Sequence, residues 1–197
     1  METIRLINRL LDVIEHDIAP LTRRQIARGN KLFGAAILRK DDLSLIIAET
    51  NNEVENPLWH GEMHAIKKLY ERDRATLPAP QDCIFLATHE PCSLCLSAIA
   101  WGGYDNFYYL FSHEQSRDNF AIPHDLRILK EVFPLDPGGY NATNAFWTSH
   151  DITEMLASLD RGNREALLAR VDDLTALYAD LSAAYQATKG HAGIPLA

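Results

Sequence analysis

His60 and Glu62 stand two positions apart, and Cys92 and Cys95 follow Pro91 at the Cys-x-x-Cys spacing. One imidazole and two thiols suit a borderline-soft cation, and three protein ligands leave a fourth coordination position open for water. A zinc ion held in this way lowers the pKa of that water to about 7. Glu62 is not needed as a ligand and is placed to move protons, first as base and then as acid. Both motif halves are expected where a loop enters a helix. The unpaired amides and the macrodipole there favour negative charge, and so the thiolate that binds metal. In an open α/β sheet such helix starts meet at the carboxyl ends of the strands.

Other residues compete for roles near this cluster. His64 lies one turn after His60 and is a rival ligand, with a core or supporting histidine as the alternative. Cys83 sits inside an apolar run and reads as an inert core thiol. His89 precedes the second motif and is read either as pocket lining or as a hydrogen-bonded histidine.

The pattern His-x-Glu followed by Pro-Cys-x-x-Cys is the signature of zinc nucleobase deaminases. His60-Gly61-Glu62-Met63-His64-Ala65-Ile66 and Thr88-His89-Glu90-Pro91-Cys92 through Trp101 resemble the cytidine deaminase-like superfamily, with weaker support from Phe33 to Ile37 and Tyr108-Tyr109. The branch they are most similar to holds guanine deaminases, fungal-type cytosine deaminases and tRNA adenosine deaminases. The resemblance runs over about residues 30 to 133 and implies zinc held by His60, Cys92 and Cys95, with Glu62 as the proton shuttle. It also implies a substrate-binding asparagine at the end of the second strand, Asn51 in preference to Asn52. It assigns substrate contact to Glu90, and to Asp125 where guanine deaminases hold an acidic residue; His113, Phe120 and His124 compete in that region. Phe33 and Trp59 are read as stacking on a planar ring. Gly61 departs from the alanine most common at its position, and Trp101 resembles the purine-deaminase arrangement.

The elements that must position these residues follow from periodicity. Ile4, Ile7, Leu11, Ile14 and Ile18 form one helical stripe that Pro20 is expected to interrupt, with a second short helix ending at Gly29. Phe33 to Arg39 and Leu43 to Ala48 predict a hairpin, and His60 to Arg72 a helix. Cys83 to Ala87 predicts a strand, Cys92 to Trp101 a helix, and Phe107 to Phe111 another strand. Ser112 to Phe120 reads as loop, Asp125 to Val132 as helix, Pro134 to Asn144 as irregular, and no fifth strand is placed. Asp151 to Glu154 resembles a capping box, and Gly162 reads as the end of the helix it opens. Asn163 then opens a long helix, on which Leu167, Val171, Leu174, Tyr178, Leu181 and Tyr185 make a heptad-type seam. Its cover is either the N-terminal helix or a second chain. Gly190 to Ala197 reads as a tail. The order β-β-α-β-α-β argues an α/β protein. The resemblance makes it a three-layer α/β/α sandwich, with a mixed sheet of hairpin and parallel strands and extra C-terminal helices. Residues 1–148 are taken as the zinc domain and 149–197 as a helical extension.

The chain has 197 residues, 47% of them hydrophobic and 23% charged, with a net charge of −8. That composition suits one globular core and argues against a polyphosphate partner. No apolar run reaches the ~20 residues of a membrane span, and the N-terminus lacks a secretory pattern. Three cysteines, two in one motif, suit a reducing compartment, so a cytoplasmic protein is expected. The resulting expectation is a zinc-dependent hydrolytic deaminase of a nucleobase or small amino-heterocycle, guanine first and cytosine or a nucleoside next, acting as a homodimer. The alternatives are a tRNA adenosine deaminase and a non-catalytic zinc-stabilised scaffold.

Overall fold

The computed structural model describes residues 2–133, 138–189 and 192–194. Parts of the irregular stretch expected from Pro134 and of the tail expected from Gly190 therefore lie outside the described residues. Helix α1, Glu2–Asp12, continues through a π-helical turn, Val13–Ile18, into α2, Ala19–Ile26. Pro20 was expected to break this rod and does not. It falls in the first turn of α2, and the wide turn before it accommodates the ring and the missing amide.

Strands β1, Gly34–Arg39, and β2, Leu45–Thr50, form the expected hairpin. They are followed by α3, Gly61–Tyr70; β3, Cys83–His89; α4, Ser93–Trp101; and β4, Asn106–Phe111. The sheet order is β2-β1-β3-β4-β5. β1 is antiparallel to both β2 and β3, whereas β3, β4 and β5 are mutually parallel. β2 and β3 therefore run the same way, as a helical crossover between them requires.

Alternation along the strands divides the core in two. Ala36, Leu38, Ile84, Leu86 and Leu110 face the α1–α2 rod and the C-terminal helices. Ala35, Ile37, Phe85 and Phe107 face Ala65 and Leu69 of α3 and Leu96 and Ile99 of α4. This is the three-layer arrangement, with α3 and α4 on one face.

Three elements differ from expectation. Ser112 to Phe120 is not loop but α5, His113–Phe120, opened by a capping box in which Ser112 accepts from the Gln115 amide and Gln115 returns to the Ser112 amide. It leads into α6, His124–Val132. A fifth strand exists: β5, Thr148–Asp151, pairs with β4. Its four residues carry no apolar alternation, so its sequence could not announce it, and the 148/149 division falls inside it. Asp151 then caps α7, Ile152–Leu156, through the Thr153 and Glu154 amides. The long helix α8, Arg161–Thr188, is capped by Asp160 and not by Asn163, and Gly162 lies in its first turn.

The α8 seam is covered from within the chain. All six of its expected residues are buried, in one cluster with Ile7, Leu10, Leu11, Ile14 and Ile18. Arg170 clamps the two helices at the rim, reaching Asn8 Oδ1 at 2.9 Å and Asp12 Oδ1 at 2.7 Å. Tyr178 extends the contact to the back of the site, with its ring 5.3 Å from that of His89. Leu174→Ala should therefore lower the unfolding free energy by about 2–5 kcal/mol in chemical denaturation. A loss within about 0.5 kcal/mol, the range of an ordinary surface substitution, would mean that the seam is not buried as described.

Candidate metal centre and active site

His60 and Cys92 are the N-cap residues of α3 and α4. Neither side chain caps its own helix; each turns toward the other. His60 Nδ1 lies 3.4 Å from Cys92 Sγ and 3.8 Å from Cys95 Sγ. Among the described residues, these three form the one group of metal-type donors, with all ligand atoms within 4.8 Å. Tetrahedral zinc, with bonds of about 2.0 Å to nitrogen and 2.3 Å to sulfur, sets ligand atoms roughly 3.5–3.8 Å apart. The donor set and its spacing therefore fit zinc.

Local geometry explains how the two helix starts meet. Gly61 begins α3 against the start of β1, and a Cβ there would lie 2.7 Å from Gly34 Cα. Alanine, the commoner residue at this position, would force two backbones apart. The Gly61 amide donates to Asn51 Oδ1 at 2.7 Å, while Asn51 Nδ2 donates to Glu53 Oε2 at 2.9 Å. Glu53 also accepts from the Lys31 amide and, at 2.7 Å, from Lys31 Nζ. Its Oε1 stands 4.0 Å from His60 Nε2, on the side of the ring away from the thiols. No pattern in the sequence marks Lys31 and Glu53, because their pairing joins a loop before β1 to one after β2.

The second motif is held from behind. Glu90 accepts from the His113 amide at 2.8 Å and from the Tyr140 hydroxyl at 2.7 Å. His113 Nε2 lies 3.2 Å from the Pro91 carbonyl. His64 turns away from the cluster, with Nδ1 3.0 Å from the Thr50 carbonyl. Phe120 packs in the aromatic group around His89. Cys83 is a buried thiol whose pKa burial raises.

A small cavity opens on the cluster, lined by Phe33, Glu62, His89, Glu90 and Asp125 beside the three donors. Asn51 and Trp59 do not line it. Asn51 is fully buried and committed to Gly61 and Glu53. The Trp59 ring instead carries Lys67 Nζ at 5.7 Å. Trp101 is 92% exposed at the far end of α4.

The electrostatics are those of a site prepared for a cation. Burial opposes charge on His60, but the hydrogen bond and charge of Cys92 outweigh it and lift the imidazole to about 9. The Cys95 thiol and His60 hold Cys92 well below the usual thiol range, whereas burial holds Cys95 well above it. Burial, then the Cys92 charge, raises Glu62 to about 7 and Asp125 to about 6. Burial and the His113 charge depress His89 to about 3, so it is neutral at physiological pH.

These shifts set the proton count for metal loading. At pH 8, protein stripped of metal carries a proton on His60 and on Cys95, while Cys92 is already thiolate. Zinc binding should release these two ligand protons, with up to one more from a bound water of pKa about 7, and the ligand share should fall toward one as the pH rises past the raised His60 value. Calorimetry in buffers of different ionisation enthalpy reads this number. Release of no protons at pH 8 would contradict the ligand assignment.

The family described as cytidine and deoxycytidylate deaminase zinc-binding region matches residues 14–111. A guanine deaminase of Bacillus subtilis (strain 168) is 35% identical over 105 residues, which span 51% of this chain and 62% of that protein. Among solved structures, a mutant protein in complex with 8-azaguanine shares the fold at TM-score 0.51, with 20% identity over 84% of this chain and 80% of its own. A guanine deaminase structure from Bacillus subtilis aligns at TM-score 0.49 and 26% identity, over 65% of this chain and 82% of its own. Through its zinc-binding region the chain belongs to the cytidine and deoxycytidylate deaminase family.

Proposed function

We propose that the protein is a zinc-dependent hydrolytic deaminase that exchanges the exocyclic amine of a nucleobase or related amino-heterocycle for oxygen, consuming water and releasing ammonia. The observation that carries this reading is Glu62, a buried carboxylate outside the ligand set that lines the same small cavity as His60, Cys92 and Cys95. A zinc ion held by those three residues would supply Lewis-acid activation of water. Glu62 would carry one proton of the water to the ring nitrogen and the second, from the hydroxyl of the adduct, to the departing amine, which leaves as ammonia. A carboxyl raised to about 7 is suited to both halves of that exchange near neutral pH.

Phe33 offers a ring face, and Asp125 a carboxylate to which no protein group donates a hydrogen bond among the described residues. An amidine N–H of the substrate would satisfy it. Glu90 keeps both oxygens engaged with His113 and Tyr140, so we assign it to holding the metal loop. Asn51 acts through Gly61 in this reading. Guanine is the first substrate to test, supported by the 35% identity with a guanine deaminase; cytosine and nucleosides follow. The net charge of −8 gives no support to a tRNA substrate. A donor group of three among the described residues disfavours a purely structural zinc site, which is normally closed by a fourth protein ligand.

Zinc-loaded protein should release ammonia from at least one member of a panel of aminated bases and nucleosides. Glu62→Gln should keep its zinc and lose turnover by about 100- to 10,000-fold. Turnover unchanged by that substitution would remove Glu62 from the mechanism.

The reading includes a homodimer and a cytoplasmic setting that keeps Cys92 and Cys95 reduced. Among the described residues, no helix is long and apolar enough to cross a membrane. Dimerisation is assigned to α4, which has no charged residue yet leaves Trp101 92% exposed. Light scattering should give a dimer for the unmodified protein and a monomer for Trp101→Glu. A monomer in both cases would discard the assignment.

A further inference from the structure

Outside the metal cavity lies a second chamber of about 350 Å³, which shares Phe33, His60, Cys92 and Asp125 with it. The two are therefore consecutive parts of one path, with Phe33 and Asp125 at the neck. The outer walls are largely apolar: Pro57, Leu58, Leu94, Ile122 and Ile128. They come from the loop before α3, the first turn of α4, the link from α5 to α6, and α6 itself.

The lysine of the chamber is already paired. Among the described residues, Lys31 is the one lysine or arginine lining it, and its Nζ lies 2.7 Å from Glu53 Oε1, with both side chains buried. A phosphate approaching Lys31 would meet the Glu53 carboxylate at the same point. His124 also lines the chamber, and burial together with the Lys31 charge lowers its pKa, which keeps it neutral. A volume of about 350 Å³ is on the scale of pockets for drug-sized ligands. A bare base with its amine at Glu62 would leave much of the apolar wall in contact with water. A phosphorylated sugar would bring two negative charges to a chamber whose one lysine among the described residues is already paired with Glu53.

We propose that the preferred substrate is an amino-heterocycle bearing an uncharged, apolar substituent, with the aminated ring at Glu62 and the substituent against Leu58, Leu94 and Ile128. This rests on the deaminase reading and narrows its substrate class: neither the bare base nor the nucleotide is the best fit. Phe33 and Asp125 hold the ring at the neck, and the chamber selects what the ring carries.

Binding and turnover are tested separately. Zinc-loaded Glu62→Gln protein, full length, is titrated by calorimetry with guanine, 9-butylguanine and guanosine 5′-monophosphate, and with cytosine and 1-butylcytosine. In at least one ring series the butyl form should bind about tenfold or more tightly than the bare base, because its methylenes leave water for the apolar wall. The nucleotide should bind more weakly than the butyl form. Ile128→Asp, made in the same background, should erase the butyl advantage while leaving the affinity for the bare base within about twofold. Ammonia release by protein with Glu62 intact should follow the same order.

Equal or weaker binding of the butyl forms in both series, tightest binding of the nucleotide, or no binding of any compound would overturn the proposal. Butyl preference without ammonia release from any compound would instead sink the deaminase reading and leave the chamber assignment standing. Deamination of a bare base with no butyl preference would do the reverse. If Ile128→Asp fails to fold, the ligand series alone decides the outcome.

Discussion

The close approach of Gly61 to Gly34 is the contact on which the site depends. Two backbones meet where a Cβ would lie 2.7 Å from the opposing Cα, at the point where α3 starts and β1 begins. This contact, with the Asn51 side chain receiving the Gly61 amide, sets the position and direction of α3. His60, one residue earlier, is thereby aimed at thiols 32 and 35 positions further along the chain. A shift of half an ångström at Gly61 would be passed directly to a ligand set that tolerates little error. The family's commoner alanine is thus excluded by the neighbour this chain has chosen, another glycine.

Around this contact the polar side chains fall into two groups. Glu53, Lys31, Glu90, His113 and Tyr140 spend their hydrogen-bonding capacity on one another and on loop backbone. They hold the two motif loops from opposite sides. Glu62 and Asp125 line the cavity and are raised toward neutrality by burial. Burial makes the charged form of such a carboxylate costly, and a raised carboxyl in a cavity marks a group that can exchange a proton. This division, more than proximity to the metal, separates residues that position from residues that can react.

The C-terminal helix belongs to this arrangement through the aromatic group behind the metal loop. Tyr178 of α8, Phe120 of α5, and Phe33 and Phe111 surround His89 at ring separations of 4.7–5.3 Å. His89 is kept neutral there, at the end of β3 and three residues before Cys92. The α8 seam therefore braces the strand that delivers the second motif, as well as shielding the α1–α2 rod from water.

The sequence by itself pointed to the donor group of His60, Cys92 and Cys95 that the fold brings together, and to Glu62 beside it, because donor type and spacing within one loop-to-helix turn are local properties. It also pointed to the hairpin, α3, β3, α4 and β4, whose apolar runs are bounded by loop, proline and glycine residues. The Ser112 to Gln115 pattern carried the cap of α5, but eight mostly polar residues hid the helix behind it. β5 had no local signal, since four half-buried residues are ordered only by pairing with β4. Pro20 has two lawful outcomes, a break or a first-turn position, and the π-helical turn before it selected the second. Tertiary structure alone decided that Asn51 faces Gly61 and Glu53, that Trp59 faces Lys67, and that Phe33 and Asp125 line the cavity. These are contacts between segments distant in the chain, and the physical reason is the same for each. Residue type states what a side chain can do, while the packing of the segments on either side decides what it meets.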